Sequence, residues 1–352
     1  MKTYKNLFND IISVENLFSA WDKFKNGKGS KRDVRLFEWN LEENIFKLHR
    51  ELKNKTYKHS DYTSFNISDP KPRNIHKAQV RDRILHHAIF QVLNPIFEAG
   101  FISASFSCRE GYGTHNGVEY LHNILRRASK NDRLSYFALK CDVKKFFDTI
   151  DHNILLAILK NKIKDKDVIW LLEQTISGFS SNYSLLGINK GVPIGNLTSQ
   201  LFANIYLNEL DQFIKQELKV KYYLRYTDDF LILSESEEYL GDVLPKIINF
   251  LEENLLLRIH AEKTKIRKTN QGIDFLGYVV FQKHRLVRTK TKKRIIRKFE
   301  AKIEKYKQGL ISKNSLTQTL QSYLGFLSHA NTREIQHYFK NKFWASLKSG
   351  DE

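Results

Sequence analysis

Apolar residues recur at helical spacing through the first 60 positions. Leu7, Ile11 and Ile12 lead into Leu17, Phe18 and Trp21, a stripe that predicts helices with one buried face. Asn26-Gly27-Lys28-Gly29-Ser30 interrupts it, and a second run follows at Val34, Phe37, Leu41, Ile45, Leu48 and Leu52. Ordinary surface helices explain this region. From Tyr62 to Ile67 the period shortens to that of a strand, closed by Asp69-Pro70-Lys71-Pro72. Arg73-Asn74-Ile75-His76 reads as its hairpin partner, and Val80-Arg81-Asp82-Arg83 opens a helix through Phe90 and Val92. Residues 101–117 are irregular and carry glycines, with Ser107-Cys108-Arg109-Glu110-Gly111-Tyr112-Gly113-Thr114-His115 at their centre. Their spacing matches neither nucleotide-binding glycine fingerprint, so they read as a positioning loop, with His115 beside a helix cap. Tyr136 to Val143 is a buried strand that reaches a carboxylate at Asp142. Asp151 is placed to cap a helix from Asn153, the first of a pair over roughly 153–178.

Gly187-Ile188-Asn189-Lys190-Gly191-Val192-Pro193-Ile194-Gly195-Asn196-Leu197-Thr198-Ser199-Gln200 enters a long helix, expected over Leu201 to Leu218. Phe202, Ile205, Tyr206, Leu210 and Phe213 give that helix an apolar stripe. Two short runs, Tyr222-Tyr223-Leu224 and Phe230-Leu231-Ile232-Leu233, are too brief for helices and flank Thr227-Asp228-Asp229 as a hairpin. Val243 to Leu255 reads as an amphipathic helix, His260-Ala261-Glu262-Lys263-Thr264 as a loop, and Asp274 to Val280 as a strand pair. Helices near 292–308 and 315–328 follow. No internal repeat or low-complexity linker appears.

Composition sharpens this picture in two ways. Of 352 residues, 41% are apolar and 12% aromatic, as in a globular chain. The formal charge of +19 points to nucleic acid or an anionic membrane as partner. No run has the length of a membrane span, and Met1-Lys2-Thr3-Tyr4-Lys5-Asn6 lacks the apolar core of a signal peptide. Cys108 and Cys141, the only cysteines, have no metal-type spacing and are expected as buried thiols in a reducing, cytoplasmic setting.

The candidate chemistry centres on the hairpin tip. Adjacent carboxylates repel by about 4 kcal/mol at an effective dielectric near 20, so Asp228 and Asp229 need a cation, a proton or bulk water. A solvated Asx turn would supply the last. A distant strand ending on Asp142 suggests more, because oxygen ligands from separate strands can hold two Mg²⁺. Such a pair activates a hydroxyl and stabilises a departing pyrophosphate. Lys71, Arg73, Lys77 and Arg81 would suit a triphosphate, or else form a solvated face. From Lys283 to Lys298 there are nine Lys or Arg and no acid, running into helices bearing Tyr323, Phe326, Tyr338, Phe339 and Trp344. That tail reads as a lobe gripping a nucleic-acid backbone.

Taken in order, Asp142, the Pro193-Ile194-Gly195 to Ser199 block, Tyr226-Thr227-Asp228-Asp229 and Phe275-Leu276-Gly277-Tyr278 make the stretch from about Tyr57 to Tyr278 resemble a reverse transcriptase. The resemblance implies an α+β right-hand polymerase: an N-terminal helical extension (1–60), fingers (61–135), a palm (136–280, with fingers elements around 153–190) and a basic helical thumb (281–352). It implies metal ligation by Asp142, Val143, Asp228 and Asp229, with two Mg²⁺ that Mn²⁺ can replace, and Lys263 as proton donor to pyrophosphate. Lys71, Arg73, Lys77, Arg81, Phe146, Phe147, Ile194, Gly195 and Gln200 would meet the incoming deoxynucleotide, Phe147 as the aromatic that excludes a ribose 2′-hydroxyl. Phe275, Leu276, Gly277 and Tyr278 would grip the primer. Lys283, Arg285, Arg288, Lys290, Lys292, Lys293 and Arg294 would meet nucleic acid. Template RNA, a DNA or RNA primer and deoxynucleotides are the implied partners, with no membrane.

One departure narrows the resemblance. Most reverse transcriptases carry Gln-Gly and Ser-Pro where this chain has Ile194-Gly195 and Ser199-Gln200, and this version is similar to the enzymes of diversity-generating retroelements. Those copy RNA with errors at adenine and work with a small basic accessory protein. An aliphatic side chain in place of an amide removes hydrogen bonds worth about 0.5–1.5 kcal/mol net each, up to roughly tenfold in discrimination. A phage-defence or retron-like enzyme on the same fold is the alternative, and a non-catalytic RNA-binding protein the remote one. The stretch after the basic helices is expected to leave no room for ribonuclease H, integrase, zinc endonuclease or maturase modules, so those activities would come from other proteins.

Overall fold

The computed structural model describes residues 2–68, 72–130, 133–179 and 189–348. Lys71 and the first two positions of the Gly187–Gln200 block therefore lie outside the described residues. Four helices open the chain: α1 (Phe8–Ile12), α2 (Val14–Lys25), α3 (Arg32–Trp39) and α4 (Leu41–Lys53). The second apolar run is thus two helices, broken where Asn40 leaves helical geometry at φ −122°, ψ 46°. Ser13 caps α2 by accepting from the Asn16 N–H. β1 (Thr63–Ile67) and β2 (Arg73–Lys77) pair antiparallel from Thr63↔Lys77 to Ile67↔Arg73. α5 (Val80–Glu98) is the post against which the opening helices pack, and α6 (Thr114–Ala128) follows the glycine-bearing loop.

A four-stranded antiparallel sheet lies at the centre, in the order β4-β5-β3-β6. Its strands are β3 (Phe137–Asp142), β4 (Tyr222–Tyr226), β5 (Asp229–Ser234) and β6 (Lys265–Lys268). Between β3 and β4 run α7 (Phe146–Thr149), α8 (His152–Lys162), α9 (Lys166–Ser177) and α10 (Leu197–Gln212); α11 (Glu237–Asn254) follows β5. α10 starts four residues before the expected Leu201 and gives way at Phe213–Glu217 to a π-helical turn. α11 starts at Glu237, where the Ser236 side chain accepts from the Tyr239 N–H.

Alternation along the strands feeds two cores. Leu139, Cys141, Phe230 and Ile232 face a core shared with α5, α8, α10 and α11. Ala138, Leu224, Leu231 and Leu233 face a second core built with α6 and the C-terminal lobe. That lobe begins with a three-stranded sheet, β7 (Ile273–Phe275), β8 (Tyr278–Val280) and β9 (Arg285–Val287), and ends with α12 (Thr289–Lys307), α13 (Lys313–Leu327) and α14 (Arg333–Lys348). The expected strand pair is therefore a triplet, whose third member lies inside the basic stretch. Cys141 is buried as expected, whereas Cys108 is exposed, on a loop residue at φ +56°. No helix among the described residues is long and apolar enough to cross a membrane.

Candidate active site

The tip of the β4–β5 hairpin is a two-residue turn, Thr227-Asp228, between the paired residues Tyr226 and Asp229. Thr227 has φ +53°, a left-handed conformation that costs an L-residue roughly 1–2 kcal/mol. Its surroundings hold it there. The Thr227 hydroxyl donates to Ser107 Oγ at 2.6 Å, and Arg225 Nη1 donates to the Thr227 carbonyl at 3.1 Å. Arg225 is itself fully buried and bound by Asp211 of α10 through contacts of 2.8 and 2.6 Å, with the Tyr223 hydroxyl donating to the same carboxylate at 2.7 Å. Removing one partner of such a buried pair costs about 3–5 kcal/mol, so this network fixes the turn from below.

Opposite the tip, register brings the third carboxylate in. Asp142 is the last residue of β3 and pairs with Asp229. The Val143 N–H donates to the Asp228 carbonyl at 3.1 Å, and the His260 N–H to the Asp142 carbonyl at 2.7 Å. Lys263 Nζ lies 2.5 Å from Asp142 Oδ2. Lys140 Nζ lies 3.3 Å from Asp229 Oδ2 and donates to the Asp274 carbonyl at 2.8 Å. Burial, reinforced by Asp142 and Asp229, raises the Asp228 carboxyl to about 6. Burial also raises Asp229, with Lys140 opposing and Asp142 adding to the shift.

Among the described residues no three histidine, cysteine or acidic side chains form a ready-made cation cage; two lysines balance the carboxylates instead. The donor set still fits hard divalent cations. All its donors are oxygens, and Asp229 Oδ1 is buried with no hydrogen-bond partner. Val143 can contribute only its backbone carbonyl, because its side chain is core.

The other expected site residues divide. Phe147 is half-buried, and its carbonyl accepts from the Val192 N–H at 2.8 Å, which ties it to the stretch of chain leading into Ile194 and Gly195. Gly195 is exposed at φ +118°, and a Cβ there would stand 3.6 Å from Ile75 of β2, so the hairpin lies against this block. Gln200 is half-buried in the first turn of α10. Arg73 is exposed on β2. Phe146 is a correction: at 1% exposure it belongs to the core and cannot reach a nucleotide. Lys77 pairs with Asp33 at 2.7 Å, and Arg81 with Glu51 at 2.9 Å and Asp82 at 3.4 Å, so in this structure both side chains turn to carboxylates of the opening helices and α5. Phe275 and Tyr278 are fully buried, leaving Leu276 and Gly277 as the exposed-side tip of their hairpin. In the basic stretch Lys283, Lys290, Lys292 and Lys293 are exposed and Arg294 is half-buried. Arg285 is paired with Glu119, and Arg288 with Asp274 at 2.8 Å.

Lys140, Ser107 and the Asp211–Arg225 pair were not singled out from the sequence. For Lys140 a signal existed, since two residues before Asp142 on a strand means the same face. Asn196 and Thr198, at the start of α10, are both buried and bind His86 of α5, Asn196 Nδ2 lying 3.2 Å from Nε2 and Thr198 Oγ1 2.8 Å from Nδ1.

Residues 58–280 match the family model described as reverse transcriptase (RNA-dependent DNA polymerase). Protein YkfC of Escherichia coli is 27% identical over 246 residues, covering 60% of this chain and 62% of that protein. The group II intron-encoded protein LtrA of Lactococcus lactis is 24% identical over 334 residues, covering 76% of this chain and 54% of that one. The chain thus spans less than two thirds of the length of either relative. A structure of apo telomerase from Candida tropicalis, truncated from its C-terminal domain, superposes with a TM-score of 0.49 at 15% identity, covering 65% of this chain and 55% of that one.

Proposed function

The chain belongs to the reverse transcriptase family, and from that premise we propose that it copies an RNA template into DNA with low fidelity, in the manner of diversity-generating retroelements. The observation that carries polymerisation is the convergence of Asp142, Asp228 and Asp229 around an orphaned carboxylate oxygen. Asp142, Asp228, Asp229 and the Val143 carbonyl would hold two divalent cations, Mg²⁺ or Mn²⁺. When bound, these supply activation of the primer hydroxyl and neutralise the leaving pyrophosphate. Lys263, which pairs with Asp142, would give its proton to the leaving pyrophosphate. Arg73 on the exposed hairpin offers a fork to the triphosphate. Phe147 walls the sugar site, and Leu276-Gly277 meets the primer terminus. A DNA or RNA primer, deoxynucleotides and a small basic accessory protein complete the reading, set in the cytoplasm.

Asp228→Asn should abolish deoxynucleotide incorporation on an RNA template at any Mg²⁺ or Mn²⁺ concentration; persistent synthesis would reject the assignment. The low-fidelity part rests on Ile194, half-buried beside Gly195 where an amide would otherwise sit. Ile194→Gln should reduce misincorporation opposite adenine by up to about tenfold, read by sequencing the cDNA, and an unchanged error spectrum would remove that part alone. A second reading has support from the likeness to LtrA, a group II intron-encoded protein: the template would be an intron RNA. Sequencing RNA that copurifies with the protein separates the two.

A further inference from the structure

Three bodies distant in sequence meet on the first turn of α6. The Thr114 hydroxyl lies 3.2 Å from that of Tyr226, one residue before the left-handed Thr227. Gly117 lies under the β7–β8 hairpin tip: a Cβ there would stand 3.4 Å from Leu276 Cδ1 and 3.4 Å from Phe106 Cβ. His115 Nδ1 lies 3.4 Å from the Tyr278 hydroxyl of β8. The His115 ring stacks on His329, between α13 and α14, with centroids 3.7 Å apart and planes at 13°.

The contacts are directional. The Tyr278 hydroxyl donates to the Phe326 carbonyl at 2.8 Å, so His115 Nδ1 must carry the hydrogen it shares with that oxygen. The turn is also tied to β4 from behind. The Gly113 N–H donates to the Phe106 carbonyl at 2.8 Å, and the Phe106 N–H to the Arg225 carbonyl at 2.9 Å. The tip that presses on Gly117 holds Leu276 at φ +50° and Gly277 at φ +91°. A leucine stays in that region only where its surroundings over-determine it, and the missing side chain of Gly117 makes the room.

We propose that this turn, through Thr114, His115 and Gly117, is a spacer that sets the distance between the nucleotide-joining tip and the hairpin steering the primer terminus, and that relays the position of the C-terminal lobe to it. These are positioning residues, and the assignment rests on the primer-extending reading above. Packing alone would need only apolar contact at each position, whereas two of the three contacts are polar and aimed at tyrosine hydroxyls.

The test uses the full chain on an RNA template with a DNA primer carrying 2-aminopurine at its 3′ end. Its fluorescence reports where the terminus sits without requiring turnover. Gly117→Ala, which pushes Leu276 by a few tenths of an ångström, and His115→Phe, which keeps a ring against His329 but loses the donor, should each change that signal. Each should also lower kcat about tenfold, since misplacement by a fraction of an ångström acts on the reacting geometry. KM for template–primer should move less than about twofold, and the melting temperature less than about 2 °C. His115→Gln, which restores a donor, should recover most of the loss. The spacer is overturned if the fluorescence of every variant matches the unsubstituted protein, or if His115→Gln is no better than His115→Phe. An unsubstituted protein that binds the primer but extends nothing overturns the proposed function instead, while the fluorescence comparison still decides the spacer.

Discussion

Two of the three carboxylates at the tip have a lysine partner each. Asp142 lies against Lys263 and Asp229 against Lys140, while the Asp228 carboxyl is pushed up to about 6 by burial, with Asp142 and Asp229 adding to the rise. Phe147, half-buried, is the side chain proposed to gate the sugar. Phe147→Ala should admit ribonucleotides, narrowing discrimination against them by roughly 10- to 200-fold, measured as kcat/KM for each nucleotide pair; undiminished sugar selectivity would move the gate elsewhere. The three aspartates were legible in the chain because strand ends and a two-residue turn leave few places for them to point. Phe146 and Phe147 were not separable, since adjacent aromatics after a strand show no period, and only packing puts one in the core. The ion pairs of Lys77 and Arg81 were not legible either. Their partners Asp33 and Glu51 lie 44 and 30 positions away, beyond the reach of any local pattern.

At the scale of elements, the joint between α5 and the start of α10 shows how a motif can act without touching a ligand. Asn196 and Thr198 grip the buried His86, and Asn196 also donates to Tyr62 at the foot of the β1–β2 hairpin at 3.2 Å. The neighbouring His87 meets Phe24 of α2 edge-on at 5.9 Å, and burial, aided by Lys28 and Lys23, lowers it to about 4. A histidine depressed in the fold contributes fully above its unfolded value near 6.5, and its contribution is lost as pH falls toward 4. Between those limits the protein should lose on the order of 1–2 kcal/mol through His87, allowing for its partial contact with water. Urea unfolding at pH 7 and pH 4.5 measures this, and His87→Gln should shrink the difference. The β1–β2 hairpin was readable from its Pro-bounded alternation. β9 was hidden, because Arg285-Leu286-Val287 is three residues long and sits among cations.

Across the whole molecule the charge of +19 is the term that would set affinity for the proposed RNA template, independent of base sequence. Each phosphate neutralised on a single strand contributes a slope of about −0.7 in log affinity against log salt. Replacing the exposed Lys290, Lys292 and Lys293 together by alanine should flatten that slope by about two, measured by filter binding between low and physiological salt, with the melting temperature unchanged. That the central sheet serves two cores was not legible, because strands buried on both faces read as unbroken apolar runs and conceal which residues look which way.

That two-faced sheet has a consequence for how the gene can drift. β3 and β5 align six residues against six, ending on Asp142 opposite Asp229. Gaining or losing a single codon inside either strand would turn every later side chain of that strand to the other core, and in β3 it would swing Asp142 away from its neighbours. Loops can lengthen over generations and helices can slide their ends, but these two stretches can change their letters only while keeping their count.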